Sequence, residues 1–325
     1  MPIATRLTET LGIRHPILLA PMGSISGGAL AGAVTAAGGL GIIGGGYGDA
    51  EWVERQFAAA GNHRVGCGFI TWSLAQRPEV LDAALAHEPA AIMLSFGDPQ
   101  PFAARIKQAG ARLICQVQRL AHVDEAIAAG ADIIVAQGAE AGGHGGTQAT
   151  LPFVPAVADA VARRAPDVVV IAAGGIGDGR GLAAALMLGA EGVLIGTRFY
   201  ASAESLAHPA AKARMVAAAG DETIRTSTID IVRGIPWPRE FTVRVMRNDF
   251  VARWHGAEAE LASAQSREMP RYQAAVAVGD FDTACVLGGE AMGVFDAVLP
   301  AGEIVGSMVA EAEAALRAGA RCVTA

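Results

Sequence analysis

The chain has 325 residues, 52% of them hydrophobic, and a formal net charge of −7. That length can bury a large core, and the acidity argues against a nucleic-acid partner, which prefers a basic face. No run approaches the roughly 20 apolar residues of a membrane span, and the opening MPIATRLTETLGIRHP lacks the basic and apolar regions of a signal peptide.

Short apolar runs then alternate with alanine-rich stretches. A strand at Pro16–Ala20 precedes a helix at Gly28–Ala37, and a strand at Leu40–Ile43 precedes a helix at Glu51–Ala59. The same order follows with Val65–Phe69 and Val80–His87, Ala90–Leu94 and Pro101–Gln108, Leu113–Val117 and Val123–Ala129. It continues with Asp132–Ala136 and Pro155–Arg164, then Val168–Ala173 and Ala183–Leu188, and ends on a strand at Gly192–Ile195. Three helices end on one signature: Ala109-Gly110-Ala111, Ala129-Gly130-Ala131 and Leu188-Gly189-Ala190, each a glycine C-cap running straight into a strand. Eight strands with helices between them in the first two hundred residues fit an α/β fold, a (β/α)8 TIM barrel, with a doubly wound sheet as the alternative.

Beyond Tyr200 this rhythm stops. Ser205–Gly279 carries Arg225, Arg233, Arg239, Arg244, Arg247, Arg253, Arg267 and Arg271, read most simply as a solvated face. Phe241, Val245 and Trp254 fit an apolar stripe on a helix. Ile235-Pro236-Trp237-Pro238 reads as a stiff connector, because each proline fixes φ. Glu303–Ala318 has the pattern of an amphipathic helix that can return to the barrel. The expected organisation is a barrel at 1–205, a smaller, mainly helical extension at 206–285 over the C-terminal face of the barrel, and a segment at 286–325 returning to it.

The chemistry concentrates at strand ends. Ala131–Gly146, ADIIVAQGAEAGGHGG, is an apolar run that stops at Gln137 and opens into a loop with five glycines and His144. Glycines around one imidazole let backbone and ligand approach closely, although a tight turn that happens to contain a histidine reads the same way. A second loop, Gly174–Leu182, follows Val168–Ala173, and Gly196, Thr197 and Arg198 follow the next strand. Two consecutive glycine-rich strand ends, one leading into a helix N-terminus, form a phosphate site. Gly179-Arg180-Gly181-Leu182-Ala183-Ala184 fits a dinucleotide motif, but the acid that would hold the ribose is missing after the next strand. A mononucleotide phosphate is the better fit. No two histidines stand at i,i+4, which argues against a zinc site, so no metal is expected. Cys67, Cys115, Cys285 and Cys322 have no Cys-x-x-Cys spacing and suit reduced thiols in a cytoplasmic protein.

Five segments carry a family resemblance: PILLAPM (16–22), AAGGLG (36–41), AQGAEAGGHGG (136–146), AAGGIGDGRGL (172–182) and GAEGVLIGTRF (189–199). They resemble the nitronate monooxygenases, formerly 2-nitropropane dioxygenases, which are FMN-containing barrels; AQGxEAGGH is the most specific stretch. The resemblance implies that Ala20, Pro21 and Met22 lie against the isoalloxazine and that Gln116 and Gln137 reach its polar edge. It implies that Gly142, Gly143 and Ala173 line the cofactor and that Gly174, Gly175, Gly196 and Thr197 hold the phosphate. His144 is implied as catalytic base, acting on a small-molecule substrate with O2, and a homodimer is compatible with it. Gly68 departs from the family, standing where asparagine is common.

A base beside a nitro-bearing carbon must have a pKa near neutrality, which histidine already has. Ser95, closing the fourth strand, is placed to donate to the nitro group, or simply to cap the next helix. Flavin-dependent enoyl-acyl-carrier reductases share the EAGGH loop, and NADH:quinone reductases the architecture. Three readings therefore stand: nitronate oxidation, NAD(P)H-dependent reduction of enoyl thioesters or quinones, and a non-catalytic flavin-binding barrel.

Overall fold

The computed structural model describes residues 3–322, so the ends of the expected segments 1–205 and 286–325 fall partly outside the described residues. All eight expected strands form: β1 (Ile17–Leu19), β2 (Ile42–Gly46), β3 (Gly66–Ile70), β4 (Ala91–Ser95), β5 (Arg112–Val117), β6 (Ile133–Gln137), then, past a short β7 (Gly143–Gly145), β8 (Val169–Ala173) and β9 (Val193–Ile195). They pair in parallel in the order β1-β9-β8-β6-β5-β4-β3-β2. The two ends meet through a parallel bridge between Leu18 and Leu40, where Leu19 N–H donates to Leu40 O (2.9 Å) and Leu40 N–H to Ile17 O (3.0 Å). With both edges used, the sheet is a TIM barrel rather than an open doubly wound sheet.

Period-2 alternation divides the strand residues into two sets. Leu18, Ile42, Met93, Ile114, Ile133, Val135, Val169, Ile171 and Leu194 form one cluster, joined by Leu7 from the helix Arg6–Leu11. Ile17, Leu19, Ile43, Ile92, Leu113, Ile134, Val170 and Val193 belong to another, shared with the surrounding helices. Burial on both faces is why each strand reads as an unbroken apolar run.

The expected helices form with shifted starts. Helix Thr150–Arg164 begins before Pro155, which sits inside it. Helix Gly179–Met187 begins at residues the sequence presents as loop, because Asp178 caps it by accepting from Gly181 N–H (2.9 Å). Gly110, Gly130 and Gly189 occupy the left-handed region at φ +73°, +73° and +91°, as their C-cap role requires.

The extension holds helices at Pro209–Ala217, Thr228–Arg233, Asp249–Trp254 and Glu258–Val278. It also contains an antiparallel sheet not anticipated from the sequence, in which β10 (Thr223–Thr226) and β11 (Thr242–Met246) pair and β11 pairs with β7. The stripe expected on one helix is thereby corrected. Val245 lies on β11, Phe241 just before it, and Trp254 on a separate helix. The residues 242–245, TVRV, alternate polar and apolar as a strand should. Helix Ala301–Ala320 buries Ile304, Val305, Met308, Val309 and Ala312 and packs on helices Gly179–Met187 and Gly28–Ala36. Among the described residues no helix is long and apolar enough to cross a membrane.

Candidate active site

The strands deliver their carboxyl ends to one face, the usual place for chemistry in a barrel. β1 runs into Ala20, Pro21 and Met22, all half-buried. A Cβ built on Gly196 would lie 3.6 Å from Ala20 Cβ and 3.7 Å from Met22 Sδ, so the segment after β1 and the end of β9 share one wall. Pro21 lies over β3. Any side chain at Gly68 would overlap the Pro21 ring at about 2.4 Å, which gives the departure from asparagine a local reason.

Gly174 and Gly175 follow β8 with φ of +104° and +72°. The backbone N–H groups of Gly174, Gly175, Gly196 and Thr197 make no hydrogen bond to another described residue, and none of the four is buried. Accessible, unpaired donors at two neighbouring strand ends are what an anion requires. The N-terminus of helix Gly179–Met187 is not part of this cradle, contrary to expectation. Its first amides are taken by Asp178, and by Glu311, which accepts from Gly179 N–H at 2.9 Å. Thr197 turns its hydroxyl away to accept from Gly289 N–H (3.0 Å), and Ala173 O accepts from Gly138 N–H (2.8 Å). The glycine ends therefore offer an anion such as a phosphate backbone donors alone.

Gln116 and Gln137 meet. Gln137 Oε1 accepts from Gln116 Nε2 (3.1 Å) and from Gln118 Nε2 (3.0 Å), and Gln137 Nε2 donates to His144 O (3.0 Å). The glycine loop is held by arginines of the extension. Arg225 donates to Ala139 O (3.1 and 3.0 Å) and Thr242 O (2.7 Å), and Arg244 donates to Ala139 O (2.9 Å) while pairing with Glu290 (2.8 Å). Two of the eight arginines read as a solvated face thus brace the loop from inside. Glu140 ties the same loop to Thr150 N–H and hydroxyl. Gly142 packs so tightly on Gly288 and Gly289 that a Cβ would meet their backbone at 2.6–2.7 Å, and Gly143 has φ +75°.

His144 lies on β7, opposite Val243 of β11. Its Nε2 is 2.9 Å from Asp230 Oδ2 and 3.1 Å from Oδ1. Its ring stacks on Trp237 with centroids 3.4 Å apart and planes 8° from parallel. Trp237 Nε1 donates to the Tyr47 hydroxyl (2.9 Å), and Trp72, Phe96 and Trp237 meet edge to face at 5.1–5.5 Å. Phe96 has φ +66°, a strained setting for an aromatic residue and one typical of functional sites. Burial lowers the His144 pKa below its ordinary value and outweighs the opposing carboxylate of Asp230, while Arg233 and Arg225 lower it further. Ser95 is buried beside Gln116 in register and caps nothing; Asp98 accepts from Gln100 N–H (2.9 Å) at the next helix.

Asp230 and Trp237 are the residues that sequence reasoning missed. Trp237 reads in the sequence only as part of a proline-flanked connector, and an aspartate four positions before Gly234 carries no local signal. The positions expected to contact a flavin lie on the strand-end face, and His144 sits where the extension covers it.

A family model described as nitronate monooxygenase matches residues 4–63 and 70–311. A carboxyl-CoA dehydrogenase of Mycobacterium tuberculosis, whose substrate group is a hydroxy-methyl-oxo-octahydroindene, is 37% identical over 77% of this chain and 68% of its own. A nitronate monooxygenase of Neurospora crassa is 30% identical over 92% of this chain and 90% of its own. Among solved structures, FabK from Thermotoga maritima superposes with a TM-score of 0.86 at 29% identity, covering 99% of this chain and 100% of that one.

Proposed function

The chain belongs to the nitronate monooxygenase family, a family of flavin-dependent oxidoreductases, and on that premise we propose that it oxidises alkyl nitronates such as propionate 3-nitronate with molecular oxygen, using non-covalent FMN. The observation that carries this reading is His144, an imidazole held by Asp230 and Trp237 within the glycine-rich loop that follows β6.

In this reading the N–H groups of Gly174, Gly175, Gly196 and Thr197 hold the cofactor phosphate. Ala20, Pro21 and Met22 line one side of the ring system, Gln116 and Gln137 present amides to its polar edge, and Gly142, Gly143 and Ala173 leave room for it. FMN, when bound, supplies the electron chemistry with oxygen. His144 takes the proton from the carbon beside the nitro group when the substrate arrives as a neutral nitroalkane. A pKa below the ordinary histidine value keeps the ring neutral, and hence basic, at neutral pH. The Ser95 hydroxyl donates to the nitro oxygens, on which the negative charge gathers. The aromatic side chains of Trp72, Phe96 and Trp237 pack on one side of the base and limit the water that reaches it.

Heat release and chromatography of the purified protein's flavin are expected to give FMN. Recovery of FAD, or protein that binds no flavin, would overturn the cofactor assignment. A second reading, redox chemistry on an acyl thioester with a nicotinamide partner, is favoured by the 37% identity to the mycobacterial carboxyl-CoA dehydrogenase. Anaerobic mixing separates the two: propionate 3-nitronate should bleach the flavin spectrum, while NADH and NADPH should leave it unchanged. Bleaching by a reduced nicotinamide and not by the nitronate would replace the first reading with the second.

A further inference from the structure

We propose that Asp230 is a positioning residue for His144, fixing the imidazole as the Nε2–H tautomer and leaving Nδ1 as the atom that takes the substrate proton; this rests on the reading of His144 as base. The two side chains are 10% and 7% exposed and sit on different elements, β7 and the helix Thr228–Arg233, 86 residues apart in sequence. The carboxylate oxygens have no hydrogen-bond partner among the described residues other than His144 Nε2. A buried carboxylate needs a donor, and a neutral imidazole can supply one only from a protonated Nε2. The other ring nitrogen then keeps its lone pair. Nδ1 makes no hydrogen bond to a described residue, and it is not among the buried polar atoms left without a partner, so it retains access to solvent.

The stack on Trp237 fixes the ring plane, and the Nε2 contact fixes its rotation about that plane. Together they leave one edge of the imidazole available. The charged and titratable groups facing the ring are Asp230 and Arg233 from the helix, Arg225 from β10, and the Tyr47 hydroxyl bonded to Trp237. Of these only Asp230 stabilises a positive imidazolium once the proton has arrived.

The test is Asp230→Asn. An amide can turn its NH2 toward Nε2, which forces the proton onto Nδ1 and removes the base. The expected loss in kcat/KM on a neutral nitroalkane is on the order of 10²–10⁴-fold, what general-base catalysis contributes, with activity on the preformed nitronate changed much less. The acid limb of the nitroalkane pH profile should move to lower pH, because the carboxylate that raises the His144 pKa is gone. Asp230→Glu should recover part of the rate. Nitrogen-15 histidine spectra of the holoenzyme should assign the Nε2–H tautomer to His144 in the wild type and a different state in Asp230→Asn. That readout is independent of turnover, so it still decides the tautomer if the wild type proves inactive on nitroalkanes, an outcome that would sink His144 as base and leave nitronate oxidation standing. An Nδ1–H tautomer in the wild type, or equal losses on both substrates with an unmoved pH limb, would overturn the assignment.

Discussion

His144→Ala is expected to lower kcat/KM on neutral nitroalkanes by about 10²–10⁴-fold, the range general-base catalysis typically contributes, while activity on a preformed nitronate falls far less. A neutral nitroalkane must lose a carbon-bound proton before it can surrender electrons, whereas the nitronate has already lost it. Flavin content should stay at the wild-type level, because the imidazole is bonded to Asp230 and stacked on Trp237, away from the unpaired amides after β8 and β9. The wild-type pH profile carries a second signature. With the pKa of the buried ring held below its ordinary 6.5, the lone pair persists as pH falls to that value, and the rate on nitroalkanes drops only at lower pH. That limb should vanish in His144→Ala. Equal losses on both substrates would mean that the residue positions ligand or loop, and no loss on either would leave it a turn residue.

Gly175→Asp is expected to give a folded protein that has lost its yellow colour. Gly175 lies outside the strand ladder, is exposed, and has an unpaired N–H. A Cβ there would meet only the Glu140 side chain, its Cβ at 3.3 Å and its Cγ at 3.7 Å, which leaves the fold room to adjust. Its φ of +72° adds about 1–2 kcal/mol of strain for a non-glycine residue. A carboxylate beside the phosphate adds far more to cofactor release. Like charges about 4 Å apart near a protein surface repel by about 4 kcal/mol, so flavin affinity should fall on the order of 10²–10³-fold. Gly175→Ala carries the same backbone strain without the charge and should keep most of its flavin. Titration of both apoproteins with FMN, alongside thermal melting by circular dichroism, separates the two effects. Wild-type affinity in Gly175→Asp would move the phosphate site elsewhere.

The barrel was legible because its signals are local. Residues 168–173 and 133–136 are β-branched or apolar runs of strand length, and Gly110, Gly130 and Gly189 mark where helices must stop. The cradle was legible for the same reason, since glycines at strand ends advertise themselves. What escaped is what depends on distant partners. Arg225 and Arg244 look like solvated charges until the backbone of residues 139–145 is brought to them. Asp230 finds His144 across 86 residues. The stripe of Phe241, Val245 and Trp254 failed for a different reason: three apolar residues at mixed spacing fit a helix only if the alternation within 242–245 is ignored. Helix starts slipped because Asp178 begins a helix in a stretch whose glycines read as loop.

The pairing of β7 with β11 means that the histidine-bearing strand joins the sheet of the extension and not the barrel sheet, to which the Gln137 side chain ties it. Inheritance can therefore act on the two parts at separate rates. Substitutions in the stretch 223–246 can retune what the imidazole meets, through Asp230, Trp237 and the bracing arginines, while the glycine ends after β8 and β9 stay as they are. One barrel can in this way carry a differently furnished imidazole through changes in a single stretch of the extension. A graft of that stretch between relatives is expected to change substrate preference while cofactor binding stays with the strand ends.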